Sequence, residues 1–161
     1  MPHTKPADNA PVISRTNVSW SGDHRFLAGP EGRQHQIDAD AQVAPGPVET
    51  LLNALAACSG VDVLDILAKR RTPVRTMSIR VEAERRPRAP RRVLRLLLEF
   101  SIEGDGIEPE QAQRAIRLSY ERYCSVAASL APDIHVQIGL NLNGKAFPAS
   151  AHAVQQPGSD E

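Results

Sequence analysis

Cysteine is scarce in this sequence. Cys58 and Cys124 are its only two, far apart and with no CxxC pair or zinc-knuckle spacing. That excludes a secreted disulfide scaffold and any sequence-local redox or zinc motif. Aromatic residues make up only 4% of the chain, so the stacking platforms of single-strand nucleic-acid binders are lacking. Net charge is also missing, because 19 basic and 19 acidic residues balance. Nothing draws the chain as a whole to phosphate or to an anionic membrane. The opening stretch MPHTKPADNAPVIS has no apolar run resembling a signal peptide. No stretch of about 18 apolar residues stands out as a membrane span. A cytoplasmic protein with no membrane partner is therefore expected. The five histidines, His3, His24, His35, His135 and His152, have no metal-ligand spacing, although His24 and His35 could approach one another across a strand meander. Gly104-Asp105-Gly106 lacks the pattern of a phosphate loop.

What is present is ordinary globular material, 41% hydrophobic and 24% charged over 161 residues, enough for one domain with a real core. The expected organisation is a disordered segment at 1–13, a single domain at 14–147 and a flexible tail at 148–161. The longest patterned stretch is Pro45 to Arg71, PGPVETLLNALAACSGVDVLDILAKRR. Val48, Leu51, Leu52, Leu55, Ala56 and Ser59 recur at three- and four-residue steps, and Val63, Leu64, Ile66 and Leu67 continue the surface. Pro47 suits the first helical position, and Glu49 lies in the positively polarised first turn. The segment ALAAC is apolar or small nearly all round, which predicts a helix covered on several sides. Gly60 within it marks a close approach or a bend.

Before this helix, Arg15–Trp20, Arg25–Ala28 and Arg33–Ala39 read as a three-strand meander separated by turns. After it, Met77, Ile79, Val81 and Ala83 alternate with polar residues. Beyond the turn RRPRAPRR, Leu94, Leu96, Leu98 and Phe100 do the same. Pro109-Glu110 opens a second helix in which Ala112, Ala115, Ile116, Ser119, Tyr123 and Val126 keep helical spacing, with Cys124 late in it. Ile134 to Leu142 alternates as a last strand. Three strands, helix, two strands, helix, strand is not the alternation of a doubly wound sheet. The pattern predicts an α+β domain, antiparallel sheet against two central helices, with enough apolar surface to suggest a partner subunit.

By residue pattern alone, Cys58 and Cys124 read first as small core hydrophobes. A reactive thiol needs a cation or a helix N-terminus nearby. Cys58 lies too far into its helix for the latter, and Asp62 one turn on opposes ionisation. Two helix-borne cysteines leave a transient disulfide open as an alternative. Eleven basic and two acidic residues fall between Lys69 and Arg95. A solvated or subunit-facing hairpin accounts for Arg85, Arg86, Arg88, Arg91, Arg92 and Arg95, and a nucleic-acid partner is not expected.

The stretches PVETLLNALAACSGVDVLDIL, AQRAIRLSYERYCSVAASL and WSGDHRF, with the final strand ending in NLNG, resemble the OsmC/Ohr family of cysteine-based peroxidases over residues 15–144. The resemblance implies an OsmC-like fold and an intertwined homodimer, with the cysteine helices central and the sheets outside. It implies that Cys58 corresponds to the peroxidatic cysteine and Cys124 to the resolving one, and that Glu49 holds a catalytic arginine. Arg25 is the first choice for that arginine and Arg33 the reserve. The activity implied is reduction of organic hydroperoxides through a Cys58 sulfenic acid and a Cys58–Cys124 disulfide. An external dithiol is the reductant, with no metal or organic cofactor. Leu51 and Leu55 beside the thiol favour an organic over an inorganic peroxide. The alternative is a binding or structural member of the family without efficient turnover.

Overall fold

The computed structural model describes residues 11–152. Their elements, in order, are β1 (Val18–Gly22), β2 (Arg25–Ala28), β3 (His35–Asp38), α1 (Pro47–Lys69), β4 (Thr76–Arg85) and β5 (Val93–Glu103). There follow α2 (Pro109–Leu118), a π-helical turn (Ser119–Tyr123), α3 (Ser125–Ala128), β6 (His135–Leu142) and β7 (Lys145–His152). The class is α+β, with one sheet of β1-β2-β3 and another of β4-β5-β6-β7. The chain divides into two compact units between Thr50 and Leu51, where the sequence suggested one domain. The physical basis is visible in the sheets, each of which pairs its strands only within itself.

In the first unit β2 pairs antiparallel with β1 and with β3, setting Arg25 opposite Asp38 and Ala28 opposite His35. His24, at the Arg25 end of this hairpin, bonds Asp40 at 3.1 Å, so His24 and His35 lie at opposite ends rather than together. The chain then enters α1 through a cap that the sequence only hinted at. Glu49 Oε2 accepts the backbone N–H of Gly46 at 2.8 Å, and the Thr50 N–H bonds the Gly46 carbonyl. This is the back-reaching half of a capping box, with Pro47 at the first helical position.

In the second unit β4 and β5 form a long antiparallel hairpin in which Met77, Ile79, Val81 and Ala83 stand opposite Ile102, Phe100, Leu98 and Leu96. The expectation of antiparallel sheet throughout fails at the next strand, since β5 and β6 are parallel, Leu96 beside Val136 and Phe100 beside Leu140. A parallel neighbour requires a long crossover, and α2, the π-turn and α3 supply it. Residues 148–152 are not a tail but the second half of β7, paired with β6. Asn143-Gly144, both at positive φ, form the two-residue turn whose twist favours such a hairpin. Residues 1–10 and 153–161, where the expected terminal segments largely fall, lie outside the described residues.

Helix α1 ends in a Schellman motif: the Thr72 N–H bonds the Leu67 carbonyl, the Arg71 N–H bonds that of Ala68, and Arg71 is left-handed at φ 62°. Its 23 residues span about 34 Å. They bury Leu55, Ser59, Gly60, Val63 and Leu67, and a Cβ on Gly60 would stand 3.1 Å from Ile79 Cδ1 and 3.3 Å from Met77 Cε. Glycine thus lets α1 press against β4. The stripe Leu51, Ala54, Ala57, Val61 and Leu64 is exposed, so within the single chain the helix is covered on one side. With a mean hydropathy of 1.7 over its most apolar 18 residues, α1 is also long and apolar enough to cross a membrane by length and composition alone, a property masked residue by residue by Ser59, Gly60, Asp62 and Asp65. Helix α2, by contrast, is amphipathic, burying Ala112, Ala115 and Ile116 while Gln113, Arg114 and Arg117 face outward.

Gly60→Val is expected to cost about 1–3 kcal/mol of folding stability through overpacking against Met77 and Ile79, measured as a lower urea midpoint at unchanged slope.

Candidate active site

The second helical segment does not run through to Val126 as its spacing suggested. After Leu118 it widens into a π-turn, in which the Cys124 N–H bonds the Ser119 carbonyl at 2.8 Å. Cys124 itself leaves helical geometry at ψ 103° and becomes the N-cap of α3. Its sulfur, rather than an oxygen, accepts the Ala127 N–H at 3.3 Å. Single π-turns are concentrated at functional sites, where they re-aim a side chain.

Here the re-aimed side chain is a thiol pointing at α1. The Ser59 hydroxyl donates to Cys124 Sγ at 3.5 Å, and Cys58, the residue before Ser59, is near enough to influence the same thiol. Cys58 and Cys124 thus lie in one neighbourhood, where α1 meets the π-turn. Around them the single hydroxyl proton of Ser119 is shared between Asp62 Oδ2 at 2.9 Å and the Ser59 carbonyl at 3.2 Å. Cys124, Ser59 and Ser119 are 2%, 1% and 0% exposed, whereas Cys58 is half-buried. Burial pushes the Cys124 thiol up; the N–H of Ala127 and the hydroxyl of Ser59 pull it partly back, and neighbouring Cys58 adds to the rise. Buried Tyr120, on the same turn, is pushed up to about 12 by burial and by the nearby Cys124. Burial thus disfavours ionisation of the inner sulfur, while the outer one is only half-buried. A cleft of about 620 Å³, lined by Asp62, Asp65, Ile66, Lys69, Arg70 and Tyr123, opens beside this cluster.

The remaining sequence candidates belong to the first unit. Arg25 lies on β2, with its guanidinium 3.9 Å from Asp38 and 3.7 Å from Asp23. Glu49 is engaged by the Gly46 N–H, as described above. Arg33 lies exposed in the turn before β3. Asp38 is the residue that sequence reasoning missed. It is 1% exposed, and its carboxylate accepts the N–H groups of Asp40, Gln42 and Val43 at 3.0–3.1 Å. The bond from Val43 is the largest influence holding its carboxyl below the usual range; burial opposes this, and Arg25 assists it. The signal for it was an aspartate that can bond its own backbone two residues on. Ser59, Ser119 and Asp62 were also missed as a group, because serines at helical spacing read as small packing residues.

Among the described residues, no group of three His, Cys, Asp or Glu side chains is placed to hold a metal. In the basic hairpin, Arg85 and Arg86 bond carbonyls of the turn, Arg92 bonds Asp133 and Arg95 faces Glu84. Much of its charge is therefore occupied locally.

An α+β chain of this pattern matches a known family. Residues 38–139 fit the family model described as OsmC-like protein, and the chain belongs to that family. Among its relatives, Protein YhfA of Escherichia coli strain K12 is 35% identical over 125 residues, spanning 76% of this chain and 92% of that one. A hypothetical protein from Aquifex aeolicus superposes with a TM-score of 0.75 at 26% identity, covering 82% of this chain and 97% of that one. An organic hydroperoxide resistance protein of Legionella pneumophila superposes at 0.60 with 11% identity, covering 81% and 99%. At that identity the last likeness concerns the fold alone.

Brief treatment of the reduced native protein with N-ethylmaleimide at neutral pH is expected to label Cys58 well before Cys124. Peptide mass spectrometry reads the outcome, and equal labelling of both would contradict the burial and the raised thiol described here.

Proposed function

We propose that this chain is a thiol-dependent peroxidase that reduces organic hydroperoxides to alcohols. The observation that carries the reading is the nearness of a half-buried thiol, Cys58, to a buried one, Cys124, whose ionisation burial disfavours. Such a pair suits a two-stage reaction. The Cys58 thiolate attacks the outer peroxide oxygen, the O–O bond breaks, and the alkoxide takes a proton and leaves as the alcohol. Cys58 is then a sulfenic acid. Cys124 condenses with it, the S–O bond gives way to an S–S bond, and water departs. An external dithiol reduces the disulfide and is itself oxidised.

The family resemblance, not a contact in this chain, is what makes Arg25 the candidate for stabilising the thiolate and the charge developing on the peroxide. Glu49 retains the orienting role implied by the family, while Asp38 is the carboxylate that supports Arg25 within its own unit. No metal or organic cofactor takes part. A cytoplasmic location suits the chemistry, because a reducing compartment returns both thiols to their working state.

The exposed stripe Leu51, Ala54, Ala57, Val61 and Leu64 on α1 supports a homodimer in which two copies bury it. Leu64→Glu is expected to shift sedimentation toward the monomer, and an unchanged sedimentation coefficient would count against this interface.

A non-catalytic family member is the competing reading, favoured by the commitment of Arg25 to Asp23 and Asp38. Stoichiometric cumene hydroperoxide separates the two. For the peroxidase, the wild type is expected to form the Cys58–Cys124 disulfide, Cys124→Ser to accumulate a sulfenic acid trapped by dimedone, and Cys58→Ser to consume peroxide only at the uncatalysed rate. Peroxide consumption unchanged in Cys58→Ser would remove the proposal.

A further inference from the structure

We propose that Ser59, braced by Ser119 and Asp62, is a positioning residue that presents Cys124 as the attacking sulfur in disulfide formation. The inference rests on the two-thiol reading above, but concerns residues to which that reading gives no part.

The geometry has three layers. Cys124 Sγ accepts from two directions, from the Ser59 hydroxyl on α1 and from the Ala127 N–H at the start of α3. Both donors come from groups fixed in the fold, and both aim at a sulfur almost wholly removed from solvent. Behind Ser59, the Ser119 hydroxyl bonds the Ser59 carbonyl and the Asp62 carboxylate together. One side chain of the π-turn thereby clamps two residues of α1, on either side of the turn of helix that faces the thiols. Ser119 also supplies the carbonyl that receives the Cys124 N–H, so it holds the backbone of Cys124 while fixing the residue that bonds its sulfur.

The chemistry explains why such a clamp is needed. To attack Cys58, the Cys124 sulfur must carry negative charge at the moment of bonding, in a site where burial opposes that charge. Two converging donors compensate, in the manner of an oxyanion hole acting on sulfur. The titratable side chain acting on Cys124 is Cys58 from α1, while Cys124 in turn raises buried Tyr120 on the π-turn. Asp62 stands one hydrogen bond further away, beyond Ser119.

The test uses the reduced full-length protein and dithiobis-nitrobenzoate, and so needs no peroxide. Cys58 attacks the reagent and releases the first coloured thiolate. Cys124 then attacks the mixed disulfide on Cys58, forming the protein disulfide and expelling a second thiolate in a step independent of protein concentration. Cys124→Ser identifies that second step by lacking it. In Ser59→Ala the second release is expected to slow by about tenfold relative to the first, the scale of one hydrogen bond to a charged group, and its pH limb is expected to move to higher pH. Ser119→Ala, with the clamp removed, should change both in the same direction. Thermal melting of each variant shows whether it is folded. Equal slowing of both steps, a pH limb that does not move, or a wild type lacking the second release would overturn the proposal. Failure of peroxide to oxidise Cys58 would instead overturn the peroxidase reading and leave this result standing on its own.

Discussion

One sulfur atom joins the two parts of the chain that matter here. Cys124 Sγ is at once the cap of α3 and the acceptor for Ser59 on α1, so the end of the π-turn is defined by a side chain that also reaches across to another helix. A buried helix start without such a partner leaves N–H groups unsatisfied. At this position a serine or aspartate would be the usual cap. A thiol is a weaker acceptor, and its use at a fully enclosed N-cap indicates that the position is shaped around sulfur rather than around helix stability.

The π-turn follows from the same constraint. An α-helix continuing past Leu118 would carry Cys124 onward in helical geometry, whereas the wider turn bonds its N–H back to Ser119 and releases it into extended backbone. Ser119 bonds with backbone and side chain in different directions, and Asp62 is occupied in holding it. A carboxylate that in the sequence seemed only to repel a nearby thiolate is, in the fold, a structural anchor.

Much of the architecture was legible from residue pattern because its elements are periodic in the simplest way. Met77 to Ala83 and Leu94 to Phe100 alternate, and α1 is bracketed by Pro47 and Thr72-Pro73. The parallel alignment of β5 and β6 was not legible, since Leu96, Leu98 and Phe100 alternate identically whichever way the neighbour runs. Strand β7 escaped notice because Pro148 and its alanines carry no strand signal of their own; pairing along the edge of β6 creates it. In the site, the cysteines were visible and their surroundings were not. Sequence distance does not say which carboxylate an arginine will meet, so Arg25 facing Asp38 emerges only from the register of β2 and β3. Likewise, serines at helical spacing give no sign that their hydroxyls turn inward.

The parallel neighbour also governs where the inner thiol lies in the chain. Pairing β5 with β6 closes a loop that contains α2, the π-turn and α3, and the entropy of that closure must be met before the contacts along Leu96, Leu98 and Phe100 can repay it. The second sulfur lies inside that loop. The turn that seats the Cys124 sulfur is thus a piece of the crossover that the parallel pairing demands, so one stretch of chain serves both the sheet and the thiol.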